Sequence, residues 1–156
     1  MRRRSFVPGL AVAQTLLWLG CGSSSPTGPD VLTVQAGTSF GMCPPTAYCQ
    51  TTLQVTSGSA VFTKVSRELG EVRASAVLAG GEWERLVATV DEGRLRAQPD
   101  VIGCPDCADG GAEWVEVTAA GWTKRVTFQK ETSPPAIQEL VAAVRRIRQG
   151  IDAHAP

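Results

Sequence analysis

The chain has 156 residues, of which 43% are hydrophobic, and its 15 basic and 15 acidic side chains leave no net charge. Three of the basic residues, at positions 2–4, belong to a predicted export signal, so the exported part carries 12 basic and 15 acidic residues, a net charge of −3. A mildly acidic protein lacks the basic surface that binds nucleic acid, and we expect no nucleic-acid partner.

Residues 1–20 have the three parts of a secretory signal peptide. The arginines at positions 2–4 precede an apolar run from Phe6 to Leu19, and Gly20 stands directly before Cys21. The run covers about 14 residues, whereas a transmembrane helix needs ~20, so a cleaved signal is favoured over a membrane span.

The segment Leu16-Leu17-Trp18-Leu19-Gly20-Cys21 resembles a lipobox, the Leu-x-Gly/Ala-Cys pattern of bacterial lipoprotein precursors, with Trp18 where a leucine is usual. The resemblance implies that Cys21 is the lipidation site, and two or more acyl chains anchor a protein stably in a lipid bilayer. It also implies a place in the cell envelope, at the outer membrane, facing the periplasm or the surface. The alternative is an ordinary signal with an incidental cysteine.

The export route is open between two interpretations. Arg3-Arg4-Ser5-Phe6-Val7 resembles a twin-arginine signal, and the general secretory route requires only the positive charge that the same arginines supply.

Four regions follow from composition. Residues 1–20 are the signal peptide, and residues 21–30 are the lipidated cysteine and a flexible tether, because positions 22–29 contain only Gly, Ser, Pro and Thr. Residues 31–150 suit one domain with a hydrophobic core, and residues 151–156 form a disordered tail.

Alternation of apolar and polar residues predicts six strands in this domain. They are Val31–Ala36, Thr51–Thr56, Ala60–Val65, Glu71–Leu78, Glu113–Ala119 and Trp122–Gln129. In the first strand, Leu32, Val34 and Ala36 are expected on one face. The stretch from Gln98 to Gly111 reads as a loop.

Two apolar stripes with helical spacing predict two helices. The first stripe consists of Trp83, Leu86, Val87 and Val90, with Gly93 as its stop. The second consists of Ile137, Leu140, Val141, Val144 and Ile147. The predicted fold is α+β: an antiparallel sheet of five or six strands with two helices packed on one face.

The ends of the second helix are also predicted. Ser133 is its N-cap, Pro134 takes the first helical position, and Gly150 ends it. Arg145, Arg146 and Arg148 crowd its last turn, where positive charge stabilises the helix dipole by about 0.3–1 kcal/mol per residue.

Histidine chemistry is excluded for the folded domain, because the only histidine is His154, near the end of the chain. Neither a Ser-His-Asp triad, nor a Cys-His pair, nor a helical His-Glu-x-x-His zinc site is available. We expect no catalytic residues and no cofactor.

The remaining cysteines form two close pairs, Cys43 with Cys49 and Cys104 with Cys107. In an oxidising envelope they favour disulfides, but a structural zinc site and thiol–disulfide exchange stay open as alternatives. Bridges between the two pairs would close loops near 60 residues long and stabilise by about 4 kcal/mol, so cross-linked pairing is slightly favoured over local pairing.

Acidic residues gather around Asp109-Gly110-Gly111. Asp106, Asp109 and Glu113, with Asp100 nearby, offer oxygen ligands for a calcium-like cation, although the same composition is typical of a plain turn. The run from Phe40 to Val55 resembles a group of uncharacterised bacterial envelope domains with a Cys-Pro-x-Tyr element, here stretched by two residues; the resemblance implies a fold and no activity.

These features predict a non-catalytic binding or structural module, tethered by its lipid, that meets an unknown envelope protein or ligand. The alternative is a thiol-redox or metal-binding envelope protein that uses Cys104 and Cys107, together with Cys43 and Cys49.

Overall fold

The computed structural model of the protein describes residues 30–152. The predicted signal peptide, Cys21, the predicted tether up to position 29 and His154 lie outside the described residues. The strands are β1 (Val31–Ser39), β2 (Gln50–Val55), β3 (Ser59–Ser66), β4 (Gly70–Val77), β5 (Val101–Ile102), β6 (Ala112–Ala119) and β7 (Trp122–Gln129). The helices are α1 (Glu82–Val87), α2 (Glu92–Arg96) and α3 (Gln138–Asp152), with short 3-10 helices at Cys107–Asp109 and Pro135–Ile137.

The fold is α+β, as the sequence predicts, but its sheet has seven strands and is mixed. The strand order is β4-β3-β2-β1-β6-β7-β5. Every neighbouring pair is antiparallel except β5 and β7, which run parallel. The loop predicted between Gln98 and Gly111 therefore contains a strand. Only two residues long, β5 is too short for its alternation to be recognised in the sequence.

One face of the sheet is covered by helices. The strand residues that point to this face form one buried cluster with Leu86 of α1, Leu95 of α2 and the apolar stripe of α3. Eleven of these large side chains expose less than 2% of their surface, and burying each one stabilises the fold by about 1.5–3 kcal/mol. The core is therefore a single layer between sheet and helices.

The other face of the sheet carries mainly polar side chains. Trp114 of β6 is its largest ring and lies across Gly37 of β1, where an added Cβ would come within 2.6 Å of the indole and closer still to the carbonyl oxygen of Thr51. Arg125 stacks on the indole at 4.0 Å from the ring centroid, and its Nε donates to Glu116 at 2.9 Å. The glycine thus makes room for an aromatic side chain on an otherwise hydrophilic face.

The prediction that Leu32 lies on the same face of β1 as Val34 and Ala36 is wrong. The pairing of β1 with β6 shifts register between Val31 and Thr33. A bulge moves side chains to the opposite face of a strand. Accordingly Val31 packs against the core, while Leu32 is 58% exposed.

The first predicted helix is divided into two. The α1 helix ends at Val87, and Asp91 then caps α2, its carboxylate accepting a hydrogen bond from the Arg94 amide at 2.9 Å. An Asp at this position offers the backbone a new helix start. Gly93, predicted as the stop, lies inside α2.

The predicted ends of the last helix are wrong at both sides. Pro134 precedes Pro135, which forces Pro134 into an extended conformation (ψ 126°), so the 3-10 turn starts at Pro135. Ser133 does not cap the helix; its hydroxyl accepts a hydrogen bond from Arg145. Beyond Gly150 the helix continues to Asp152, because burial of Ile151 (6% exposed) outweighs the ~1 kcal/mol cost of a helical glycine.

Candidate functional site

Both cysteine loops lie at one end of the sheet. Ser39, the last residue of β1, pairs with Ala112, the first residue of β6. The loop after β1 (residues 40–49) is therefore a neighbour of the loop before β6 (residues 103–111). We refer to these two loops together as the cysteine end.

The first loop is held against the turn between β3 and β4. Cys43 and Cys49 are within disulfide distance, with their Cα atoms 5.8 Å apart, and Cys49 is 8% exposed. The Pro45 carbonyl accepts hydrogen bonds from the Ser66 hydroxyl at 2.6 Å and from the Glu68 amide at 3.0 Å. This pair of cysteines is thus part of a well-packed structural corner.

The second loop is more open. Cys104 and Cys107 are within disulfide distance, with Cα atoms 5.5 Å apart, and both are exposed. Three neighbouring residues, Asp106, Ala108 and Asp109, have positive φ angles between 52° and 61°. A non-glycine residue in this region costs of order 1–3 kcal/mol and persists only where the surroundings hold it. The second loop therefore combines accessible sulfur atoms with a strained backbone.

The cross-linked pairing that loop entropy favours is wrong. Each cysteine lies next to its near neighbour in sequence, because a tight turn brings the two ends of each loop together. The Ala47 amide donates to the Pro44 carbonyl at 3.0 Å in the first loop. In the second, the Cys107 amide donates to the Cys104 carbonyl at 3.2 Å. Local geometry decides the pairing, and chain entropy does not override it.

The two cysteine loops contact each other through other residues. The Phe40 ring covers Gly111, whose φ is +81° and where an added Cβ would lie 2.5 Å from Cε1 of the ring. The Lys130 ammonium group also lies over the Phe40 ring, 5.2 Å from its centroid. Asp106 accepts a hydrogen bond from the Gly111 amide at 3.1 Å. This glycine therefore joins the two loops.

A buried ion pair ties the start of β6 to α3. Glu113 is 3% exposed, and both of its carboxylate oxygens accept from Arg145, at 2.9 Å from Nε and 2.6 Å from Nη2. Arg145 also donates to the Thr132 carbonyl at 2.6 Å and to Ser133 Oγ at 3.1 Å. The prediction that Arg145, Arg146 and Arg148 crowd the last turn of the helix is wrong, because α3 continues to Asp152 and its last turn has no basic residue. Arg145 instead binds a carboxylate.

The charges around this pair shift two pKa values. The hydrogen bonds that Arg145 donates to Glu113 raise the pKa of Arg145 above its ordinary value, and the partial burial of Arg145 opposes this effect. Exposed Glu131, whose φ is +67°, has a lowered pKa because Lys130 donates a hydrogen bond to it and adds positive charge. Both shifts favour the charged forms, of Arg145 and of Glu131.

Two of the three metal candidates already have hydrogen-bond partners. Glu113 is bound to Arg145, and Asp106 accepts from a backbone amide. Asp109 is exposed at the end of the 3-10 helix. Within residues 30–152, no three His, Cys, Asp or Glu side chains are arranged to hold a metal ion.

A groove that the sequence did not indicate runs along the far edge of the sheet. Strand β4 is the edge strand, and α3 lies beside it. The β4–α3 groove has a volume of about 440 Å³ and is lined mainly by Ala74, Ala76, Leu78, Ile147 and Ile151. Glu82 and Arg146 stand at its rim, and Arg146 also borders a smaller concavity of about 170 Å³ between α1 and α3.

The chain matches no protein-family profile, and no curated protein is significantly similar to it. None of the helices within residues 30–152 has the length and hydropathy required to cross a bilayer. The site must therefore be interpreted from its own geometry.

The β4–α3 groove left only a faint signal in the sequence. Val72, Ala74, Ala76 and Leu78 alternate as a strand does, and all four are half-buried in the structure. Two alanines in the middle of that row are too small to reach α3 and fill the space beneath it. Small residues on the apolar side of an edge strand are the feature that could have indicated a groove.

Proposed function

We propose that the protein is a lipid-anchored, non-catalytic binding module of the bacterial cell envelope. The lipobox-like segment ending at Cys21 supports the anchor, and the tether after it leads directly to β1, which starts at Val31. Nine intervening residues span at most about 30 Å when extended, so the domain would work close to the membrane surface.

The observation that carries the binding role is the β4–α3 groove. Binding sites for ligands are concave and mainly apolar, with a few polar groups at the rim. Apolar side chains of β4 and α3 line this groove, and charged Glu82 and Arg146 stand at its edge. By contrast, the buried polar side chains next to the cysteine end already have partners: Glu113 is bonded to Arg145, and Thr38 is bonded to Thr51.

The anchor is tested by changing Cys21 to Ser in the full-length chain. We expect the wild-type protein in the membrane fraction and Cys21→Ser in the soluble or unprocessed fraction. The double variant Cys43→Ser/Cys49→Ser is the matched control, and it should stay in the membrane fraction because it keeps the lipidation site. Membrane association of Cys21→Ser equal to wild type would contradict the anchor.

A second candidate is thiol–disulfide exchange at Cys104 and Cys107, which the exposure of both residues favours. In such a step the Cys104–Cys107 bridge takes two electrons and two protons from a substrate dithiol, which leaves as a disulfide. Exposed bridges are among those with the higher reduction potentials that this chemistry needs.

The two candidates differ in the behaviour of the bridges in a glutathione redox titration. Structural bridges resist reduction by glutathione, so the binding role predicts that both pairs remain oxidised across the buffer range. Selective reduction of Cys104 and Cys107, with Cys43 and Cys49 still bridged, would favour exchange. Alkylation followed by peptide mass mapping reports each pair separately.

A further inference from the structure

The outer edge of β4 presents unused backbone groups. The Leu78 amide donates to the Gly58 carbonyl at 3.3 Å, which fixes the alternation of hydrogen-bonded pairs between β3 and β4. The intervening residues Glu71, Arg73, Ser75 and Val77 therefore point their N–H and C=O groups away from β3. Within residues 30–152, these outward groups have no hydrogen-bond partner. Such an edge is a template for another strand.

The β4–α3 groove lies on the side of the edge where alternate side chains of an added strand would go. Side chains of a strand point alternately to the two faces of a sheet. On the helix-covered face, Ala74 and Ala76 leave space, and Ile147 and Ile151 form an apolar wall. An added strand could thus form a backbone ladder and bury every second side chain, which is how peptides bind by strand addition.

The charges near this edge favour an acidic occupant. The side chains of Arg73 of β4, Arg85 of α1 and Arg146 of α3 have no ion-pair or hydrogen-bond partner in the described part of the chain, 30–152. Arg146 lines the groove itself, Arg85 lines the neighbouring concavity between α1 and α3, and Arg73 lies on the edge strand. Glu82, the acidic residue at the rim, accepts a hydrogen bond from the Ala79 amide at 3.1 Å. Three unpaired guanidinium groups complement carboxylates, which they bind with planar, directional hydrogen bonds.

The chain's own tether is a poor occupant. Residues 22–29 include no acidic residue and no large apolar side chain, so they offer neither the charge nor the surface that the groove would take. We propose that the β4–α3 groove binds an extended segment of a partner protein as an eighth strand, with alternating apolar and acidic residues. This inference rests on the proposed binding role and names its ligand class.

The probe is a synthetic hexapeptide of alternating Val and Glu, added to the mature lipidated protein in detergent micelles. Amide hydrogen exchange measured by NMR is the readout. We expect at least tenfold slower exchange of the Arg73, Ser75 and Val77 amides at saturating peptide. A Val/Lys hexapeptide is the matched control and should bind at least tenfold more weakly.

Two variants test the two parts of the proposal. Ser75→Pro removes one outward N–H without touching the ladder to β3, since proline is tolerated on edge strands, and should weaken Val/Glu binding at least tenfold. Arg146→Glu should weaken binding of the Val/Glu peptide at least fivefold and, unlike Ser75→Pro, leaves the backbone intact. Arg67→Glu, an exposed change of the same charge in the turn between β3 and β4, is the control and should bind like wild type.

Three outcomes would overturn the proposal. The absence of Val/Glu peptide binding at 1 mM would exclude an acidic strand, because a dissociation constant of 1 mM corresponds to a binding free energy of only about −4 kcal/mol. If the peptide slows the exchange of other amides instead, the groove still binds a ligand but strand addition is rejected. Protection of the Arg73 and Ser75 amides without peptide, rising with protein concentration, would assign the edge to a second copy. Each result is independent of Cys21, so the membrane anchor stands or falls separately.

Discussion

Removal of the Arg145 side-chain charge should be among the most damaging single changes in the domain. Arg145→Met keeps most of the aliphatic stem but leaves the carboxylate of Glu113, whose side chain is 4% exposed, without its bidentate partner. Breaking a buried ion pair costs about 3–5 kcal/mol, because an uncompensated charge stays in the core. Since the Arg145 side chain is itself 22% exposed, we expect the lower end, about 3 kcal/mol.

That loss is large on the scale of the whole domain. A domain of about 120 residues has a free energy of unfolding of roughly 6–18 kcal/mol. Urea unfolding followed by tryptophan fluorescence should show the midpoint lowered by roughly 1.5–2 M, given a slope of about 1.5–2 kcal/mol/M. Arg146→Met is the matched control on the same helix, because Arg146 is exposed, and should change stability by less than about 0.5 kcal/mol.

A double variant separates the ion pair from the loss of packing. In Glu113→Gln/Arg145→Met no charge remains buried, so at least half of the lost stability should return, and the coupling energy should fall within about 0.5–3 kcal/mol. If Arg145→Met unfolds at the same urea concentration as Arg146→Met, Glu113 is not held by Arg145 in the way described, and the reasoning is refuted.

Three further predictions concern backbone positions and the second bridge. Gly111→Ala should lower the free energy of unfolding by about 1–3 kcal/mol, since the methyl group meets Phe40 at a positive φ; an unchanged urea midpoint would contradict the contact. Gly150→Ala should raise the thermal midpoint, because an added Cβ there meets no atom within 4 Å and alanine is the better helix former by about 1 kcal/mol; a lower midpoint would mean that the helix ends at Gly150. Cys104→Ser/Cys107→Ser should cost about 2 kcal/mol in urea unfolding, the entropy of a four-residue loop; a loss of 4 kcal/mol or more would indicate a long-range role for this bridge.

Most strands of the fold could be predicted because their alternation is regular. The seventh strand, Trp122–Gln129, has the predicted bounds, and Val126 and Phe128 are buried as expected. Leu53 and Val55 likewise share the buried face of β2. Alternation of side chains is a local property, so it can be recognised without knowing the neighbouring strands.

The errors arise where a tertiary contact outweighs a local signal. Gly150 looks like a helix end, yet Ile151 is buried and Asp152 pairs with Lys64 at 3.5 Å, so the helix continues. Ser133 looks like a cap, yet its hydroxyl accepts from Arg145. No pattern in the sequence shows which side chains will meet across the fold.

The candidate site was the least predictable part. The β4–α3 groove depends on which strand lies at the sheet edge and on where α3 crosses, and both are properties of topology. The pairing of cysteines also depended on local turns that chain entropy does not describe. By contrast, a lipobox is a linear motif, so the resemblance of residues 16–21 to it can be recognised without knowledge of the fold.

Mass spectrometry of the N-terminal peptide of the mature protein tests the central claim, the lipid-anchored module, most directly. We predict a chain that begins at Cys21 and carries a diacylglyceryl group on its sulfur. A mature chain that begins at another residue, or an unmodified Cys21, would contradict the proposed anchor.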